Sequence, residues 1–519
     1  MQSFKSAALS RGAFAFRFTN TVAAALILIA LLVPLSHGFR VPAVPMDEGS
    51  LLVYPERILK GDLPYRDFET FYGPANLWML GCAYKFFGAN IFIERAIGLI
   101  YRLVILTGIY GLARKRGTLL AVGCTAISGF LLICTWLAAY AWMGAIACGL
   151  WSICLAGKTD SQSRCLFGGV LAGCALLFRI DLGLAVIVSG LPLFWVMSLR
   201  GKINYLSGAA VALLPLLVLT IAAGTNEVLN NLFVFPVMYS SPARHLPISS
   251  ARSDVVALFI AHAVASLVNV TAGMVAMDDK SHRKEARLFL AVALFGLGLT
   301  HQVVQRMDPL HMLFAALVSL PLLPVSVDML LSRWRSELAH RSGGWAAFGL
   351  LVILALTVPK FSRIVWQETS AALAFSQKNA FFLERNGRAF PFPDQQLAMS
   401  AGRMLDELQT LSSPGQRLFV GPADLRRTNS CDTFIYHLLP QLEPASYFLE
   451  MNPLSANRPQ SRLAADVASA DWLVHNRQWD SWQEPNRSAE FGSDAPNTVV
   501  RNRFERLDEF GPYLLYRKR

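Results

Sequence analysis

Three groups of charged residues stand out in this chain. Asp47 and Glu48 are adjacent; Arg179 and Asp181 flank a single isoleucine; Arg306 and Asp308 flank a methionine, with His311 three residues on. Each group interrupts or ends an apolar run. A charge at the centre of a membrane helix costs roughly 2.5–3.5 kcal/mol on insertion scales. Charges kept beside such runs are therefore the first residues to examine for function. A carboxylate can take the proton of an attacking hydroxyl, a guanidinium can hold a phosphate through two parallel hydrogen bonds, and an imidazole can donate to a leaving group. Asp308 and His311 share one face if a helix opens at Pro309, a residue suited to the first helical turn. Each group also has a purely structural reading: a helix cap for Asp47-Glu48, a self-satisfied ion pair for Arg179 and Asp181, and a capped helix start beside a snorkelling Arg306. Arg66 and Asp67, next to Tyr65, form a weaker candidate pair, for which a polar turn around Pro64 is the competing reading.

The elements that must position these groups follow from composition. The chain has 519 residues, of which 54% are hydrophobic and only 16% charged, with the long apolar runs crowded before about residue 360. Since about 20 apolar residues are needed to cross the hydrocarbon core as a helix, we count eleven candidate spans, near 19–38, 92–113, 118–136, 141–157, 165–178, 182–199, 203–223, 254–277, 288–305, 310–331 and 344–360. The expected fold is thus a polytopic α-helical membrane domain over residues 1–360, followed by a soluble domain over 361–519. In the latter, short apolar runs alternate with helix-like stretches, as in a small α/β unit.

Lys and Arg are retained on the cytoplasmic side of membranes. Here they concentrate in alternate connections: the N-terminal tail, Arg114-Lys115-Arg116, Lys158 with Arg164, Arg200 with Lys202, Lys280 to Arg287, and Arg333, Arg335 and Arg341. That pattern predicts a cytoplasmic N-terminus and an external C-terminal domain, with all three charged groups on the outer face. The two spans flanking Arg179 are marginal and could instead form a re-entrant pair without changing that side. The first outer loop, 39–91, is long enough to roof a cavity. It is predicted to hold a short amphipathic helix in the interface around Leu51–Leu59, a turn at Gly61-Asp62, and a break at Gly73-Pro74. A second outer loop, 224–253, carries Arg244, His245 and Arg252, which could meet an anionic lipid head or simply form a solvated basic loop.

The net charge of +12 is accounted for by topology, and no basic stripe interleaved with aromatics points to nucleic acid. The first span is too long to read as a removable signal. Eight cysteines without a C-x-x-C spacing imply neither a disulfide framework nor a paired-thiol metal site. Gly157-Lys158-Thr159 resembles the end of a phosphate-binding loop, but Ser152 stands where its first glycine belongs. Gly169-x-x-x-Gly173 reads as close helix packing. A carboxylate pair beside cations at one membrane face suits transfer of a sugar from a polyprenyl phosphate carrier to a hydroxyl. A lipid or small-anion transporter or flippase is the alternative, although transporters place their polar groups near the midplane.

The sequences MDEGS (46–50), GDLPYRDF (61–68) and YGP (72–74) resemble the first outer loop of the GT-C superfamily of membrane glycosyltransferases. FRIDLG (178–183) and QRMDPLH (305–311) are similar to later outer-loop motifs of its bacterial members related to protein O-mannosyltransferase and aminoarabinose transferase. The resemblance implies a multi-pass protein of the bacterial inner membrane with its catalytic face outside. It implies a polyprenyl-phosphate-linked sugar donor, a glycan, lipid or protein acceptor, and an inverting displacement. Asp47 would be the catalytic base, with Glu48 orienting the acceptor or a divalent metal ion. Arg66, Asp67, Arg179, Asp181, Arg306, Asp308 and His311 would bind substrate.

Overall fold

The computed structural model describes residues 2–157, 161–334, 339–374 and 380–519. Lys158, Thr159 and Arg335, invoked above for topology and for the loop-like motif, lie outside the described residues. An apolar helix covers each of the eleven predicted segments: α1 (Gln2–His37), α4 (Ile91–Ala113), α5 (Thr118–Ile133), α6 (Ala141–Ala156), α7 (Gln162–Phe178), α8 (Ile180–Phe194), α9 (Leu199–Ala223), α10 (Ser253–Ala276), α11 (Arg283–Gly298, continued by Thr300–Gln305), α12 (Pro309–Trp334) and α13 (Ala339–Thr357). The first outer loop supplies α2 (Asp47–Leu59) and α3 (Ala75–Phe87). Four of the eleven, α5 to α8, have only 15 to 17 residues. At 1.5 Å per residue they reach about 22–26 Å, short of a core about 30 Å thick. The chain bends by 104° between α13 and α14 (Pro359–Leu373). Amphipathic α14 then packs back along α1, where His37 Nδ1 meets Glu368 Oε2 at 2.6 Å.

Helix contacts follow from small residues. A Cβ on Gly169 would lie 1.8 Å from the carbonyl oxygen of Tyr205, and one on Gly173 would lie 2.8 Å from that of Ala209. The predicted small-residue stripe thus lets α7 and α9 touch backbone to backbone. One end of the bundle carries the basic connection 114–116, tied by Lys115 to Glu285 (2.9 Å) and by Arg116 to Asp328 (3.0 Å). The opposite end carries the three charged groups and the C-terminal domain.

That domain holds a hairpin of β1 (Phe381–Arg385) and β2 (Arg388–Phe392), then a five-stranded sheet of β3 (Arg417–Pro422), β4 (Glu443–Pro444), β5 (Trp472–Asn476), β6 (Phe504–Phe510) and β7 (Tyr513–Lys518). The order is β4-β3-β5-β7-β6; β4 and β5 run parallel to β3, while β7 is antiparallel to both β5 and β6. The domain is clasped to the first outer loop. Arg388 pairs with Glu56 at 2.6 Å, Tyr447 donates to the Tyr65 carbonyl at 2.6 Å, and Ser455 and Asn452 donate to buried Glu69. Helix α2 is consequently packed within protein, where its pattern predicts a helix resting in the membrane interface. Residues 48–55 are buried, and a Cβ on Gly49 would lie 2.5 Å from the Phe434 amide of the C-terminal domain. Its apolar stripe is covered by protein on both sides.

Candidate active site

Asp47 opens α2, and its Oδ2 accepts a hydrogen bond from the Tyr140 hydroxyl at 3.3 Å. Burial pushes its carboxyl above the ordinary carboxylate range, although Arg244, Tyr140 and Arg306 pull the other way. Its neighbour Glu48 points elsewhere. Successive helical residues are turned by about 100°, so the two cannot face one site. Glu48 instead takes Arg95 Nε at 2.7 Å and Nη2 at 3.1 Å, with both side chains fully buried, and its Oε2 accepts from the Val44 amide. The remaining arm of Arg95 donates to the carbonyls of Gly38, Phe39 and Val41. Glu48 is thereby the anchor that fixes the start of α2 and aims Asp47.

Asp308 caps α12: its Oδ1 accepts both the His311 amide and His311 Nδ1 at 2.9 Å. Burial would raise the Asp308 carboxyl, but His311 and Arg306 more than offset this and hold it well below the ordinary range. His311 Nε2 has no hydrogen-bond partner among the described residues, and the ring meets Trp142 edge-on at 4.5 Å. Arg306 is fully engaged: Nε binds Asp308 at 2.7 Å, Nη1 binds Glu484 at 2.9 Å and the Arg244 carbonyl at 2.8 Å, and Nη2 binds Glu484 at 2.5 Å. Its fork clasps a loop of the C-terminal domain and is not open to a phosphate.

Arg179 stands extended at the break between α7 and α8, where Gly73 allows close approach: a Cβ there would lie 1.9 Å from the Leu177 carbonyl oxygen. It forms a two-armed pair with Asp181 (3.0 and 2.7 Å) and lies over the rings of Trp142 (4.6 Å) and Tyr72 (5.4 Å). Asp181 also accepts from His301 at 3.1 Å and from Gln302. Trp142 thus links the Arg179 group to His311, and Tyr140 links Asp47 to the same corner through Phe314, whose ring contacts both Tyr140 and Trp142. Arg66 and Asp67 do not join them. They pair with each other at 2.9 Å while Asp67 accepts from the Leu63 amide, as in a polar turn.

Two groups complete the corner. Arg244, half-buried, makes no side-chain hydrogen bond or ion pair among the described residues, yet lies within electrostatic reach of Asp47, Glu450, Arg306 and Glu484. Burial, and Arg306 beside it, lower its pKa. Glu450, from the C-terminal domain, is raised to about 7 by burial and by the charge of Asp47. The sequence signal for Arg244 was its place in the basic half of the second outer loop. Glu450, Glu484 and Tyr140 carry none, because only the fold brings them near. Among the described residues no three His, Cys, Asp or Glu side chains converge as a metal would require. A cavity of about 570 Å³ adjoins the corner at Asp308 and is otherwise lined mainly by apolar residues such as Leu35, Trp136, Leu313 and Phe361.

The chain is thus a many-spanning helical domain with an α/β domain docked over its charged end. No family model and no curated protein sequence matches the chain. Among solved structures it is similar to ArnT from Cupriavidus metallidurans bound to undecaprenyl phosphate, at 12% identity and a TM-score of 0.53, over 96% of this chain and 97% of that one. The apo form of the same protein aligns at 12% identity and a TM-score of 0.47, over 96% and 98% of the two chains. Arabinofuranosyltransferase AftD from Mycobacteria aligns at 13% identity and a TM-score of 0.46, over 97% of this chain and 40% of its own.

Proposed function

We propose that this protein is an integral-membrane glycosyltransferase that moves a sugar from a polyprenyl phosphate to an acceptor hydroxyl at the outer face of the bacterial inner membrane, with its N-terminus in the cytoplasm. The observation that carries this reading is the juxtaposition of the carboxylate that opens α2, Asp47, with a neighbouring guanidinium, Arg244, whose side chain has no hydrogen-bond or ion-pair partner among the described residues. In one displacement the acceptor oxygen attacks the anomeric carbon, its proton passes to Asp47, and the carbon–oxygen bond to the carrier phosphate breaks. The released phosphate charge falls to Arg244, and His311, when protonated, adds a hydrogen bond from Nε2. Attack opposite the leaving group inverts the anomeric centre. The fold shared with an undecaprenyl-phosphate-bound protein and the apolar cavity beside Asp308 support a lipid-linked donor. The proposal covers a hexosyl or a pentosyl donor, and a glycan, lipid or protein acceptor.

Of the residues expected to bind substrate, Arg306 and Asp308 hold the site together, Arg179 and Asp181 form one wall of it, and Arg244 takes the phosphate role first read into Arg306. The test is to profile lipid-linked sugars in a deletion strain and then offer the accumulating species to the purified protein. Accumulation of one polyprenyl-phosphate sugar, and its conversion to free polyprenyl phosphate by the protein, is expected. An unchanged lipid-linked pool would contradict the reading.

A further inference from the structure

The sheet of the C-terminal domain has a crevice of its own. β3 and β5 lie side by side and parallel, but β3 has β4 on its other edge and β5 has β7, so the strand order reverses between them. Open α/β sheets leave room for a ligand outside the carboxyl ends of strands at such a reversal. A cavity of about 390 Å³ lies there, with Ala423 just past β3 and His475 near the end of β5 in its wall. His475 is 1% exposed, and its Nε2 has no partner among the described residues. A buried ring nitrogen left unpaired is unfavourable unless something meets it. Burial also depresses this ring to about 4, leaving it neutral, with one ring nitrogen a donor and the other an acceptor.

The charges of the wall are already matched. Asp424 binds Arg426 at 2.8 Å, Asp494 binds Arg501 at 2.6 Å, and Asn497 donates to both aspartates at 2.8 and 3.1 Å. Balanced pairs give an ion little reason to bind, but they present acceptors and donors together, as hydroxyl groups require. Tyr516 and Val500 add apolar surface for the C–H faces of a ring. We propose that this crevice binds one unit of a neutral sugar. Its rim is joined to the membrane site by one loop: Asp480 accepts from the Asp424 amide at 3.1 Å, and Glu484 on the same loop grips Arg306. The inference does not depend on the chemistry assigned to Asp47.

Full-length protein in lipid nanodiscs, titrated with methyl glycosides of neutral hexoses and pentoses and followed by saturation-transfer NMR, tests it. At least one glycoside should bind with a Kd of about 1 mM. Asn497→Ala should weaken it about fivefold, since the two aspartates lose the amide that holds them in place for the sugar hydroxyls, and Val500→Trp should abolish it by filling the cavity. Asp47→Asn should leave it unchanged. Melting temperatures identify any variant that fails to fold; if Val500→Trp does, Asn497→Ala alone decides. No binding by any glycoside, binding that survives in the folded variants, or binding of inorganic phosphate or citrate in place of sugars would overturn the proposal.

Discussion

Arg244 is the residue whose role differs most from its appearance in the sequence. It sits in a basic loop, where a solvated face is an equally good reading, yet the fold presses it toward Asp47 and gives its side chain no hydrogen-bond or ion-pair partner among the described residues. Arg306, by motif the stronger phosphate ligand, is held by Glu484, 178 residues away in sequence. No local pattern could reveal that contact. The account therefore predicts that Arg244→Gln loses most donor affinity. A hydrogen-bonded charge pair is worth about 1.5–3 kcal/mol, or roughly 10- to 150-fold in Kd. Arg244 is also the foremost of the groups holding the Asp47 carboxyl down. Its removal should raise Asp47 further and move the acid limb of kcat/KM to higher pH, because the base must be deprotonated to act. A pH profile unmoved in Arg244→Gln would separate the two residues.

At the scale of elements, α2 decides the site, and its sequence was only half legible. The acidic pair reads as one unit, but helical rotation sends Asp47 to the site and Glu48 into the pair with Arg95. A warning was present in the sequence: Glu94, Arg95 and Arg102 sit inside an apolar span and need buried partners. Breaking a buried ion pair by removing one member typically costs 3–5 kcal/mol. Glu48→Gln should thus lower the melting temperature sharply, whereas Asp47→Asn should not. A Glu48→Gln protein of normal stability and no activity would return Glu48 to the chemistry.

The clasp between α2–α3 and the C-terminal domain carries its own pH dependence. Burial raises Glu69 from 4.5 to about 7, so the folded protein holds this proton more tightly than the unfolded chain. Its contribution is full below about pH 4.5 and is lost as pH rises to about 7, on the order of 3 kcal/mol in all. Glu69→Gln should melt close to wild type at pH 5 and above it at pH 8. The same melting difference at both pH values would contradict the assignment.

For the whole molecule, hydrophobic run length and loop charge located all eleven apolar helices. Run length marked α7 and α8 as marginal, but it did not show that α5 and α6 also fall short of a full crossing, nor that the chain turns through 104° after α13, because those depend on what the helices pack against. The convergence of Asp47, Arg179 and Arg306 at one end agrees with the charge pattern of the connections. Cysteine labelling in intact cells should place positions near 48, 180, 308 and 450 outside and those near 115 and 284 inside. Opposite accessibility of Asp47 and Asp308 would be incompatible with a single site.

The central claim is that Asp47 accepts the proton of the acceptor hydroxyl, and it is tested most directly by following polyprenyl phosphate release from a lipid-linked sugar by purified wild-type and Asp47→Asn proteins, with donor affinity measured on the same samples. Loss of a general base typically slows turnover by about 10²- to 10⁴-fold. Asp47→Asn should show that loss while binding donor and melting as the wild type does. Wild-type release by Asp47→Asn would contradict the mechanism.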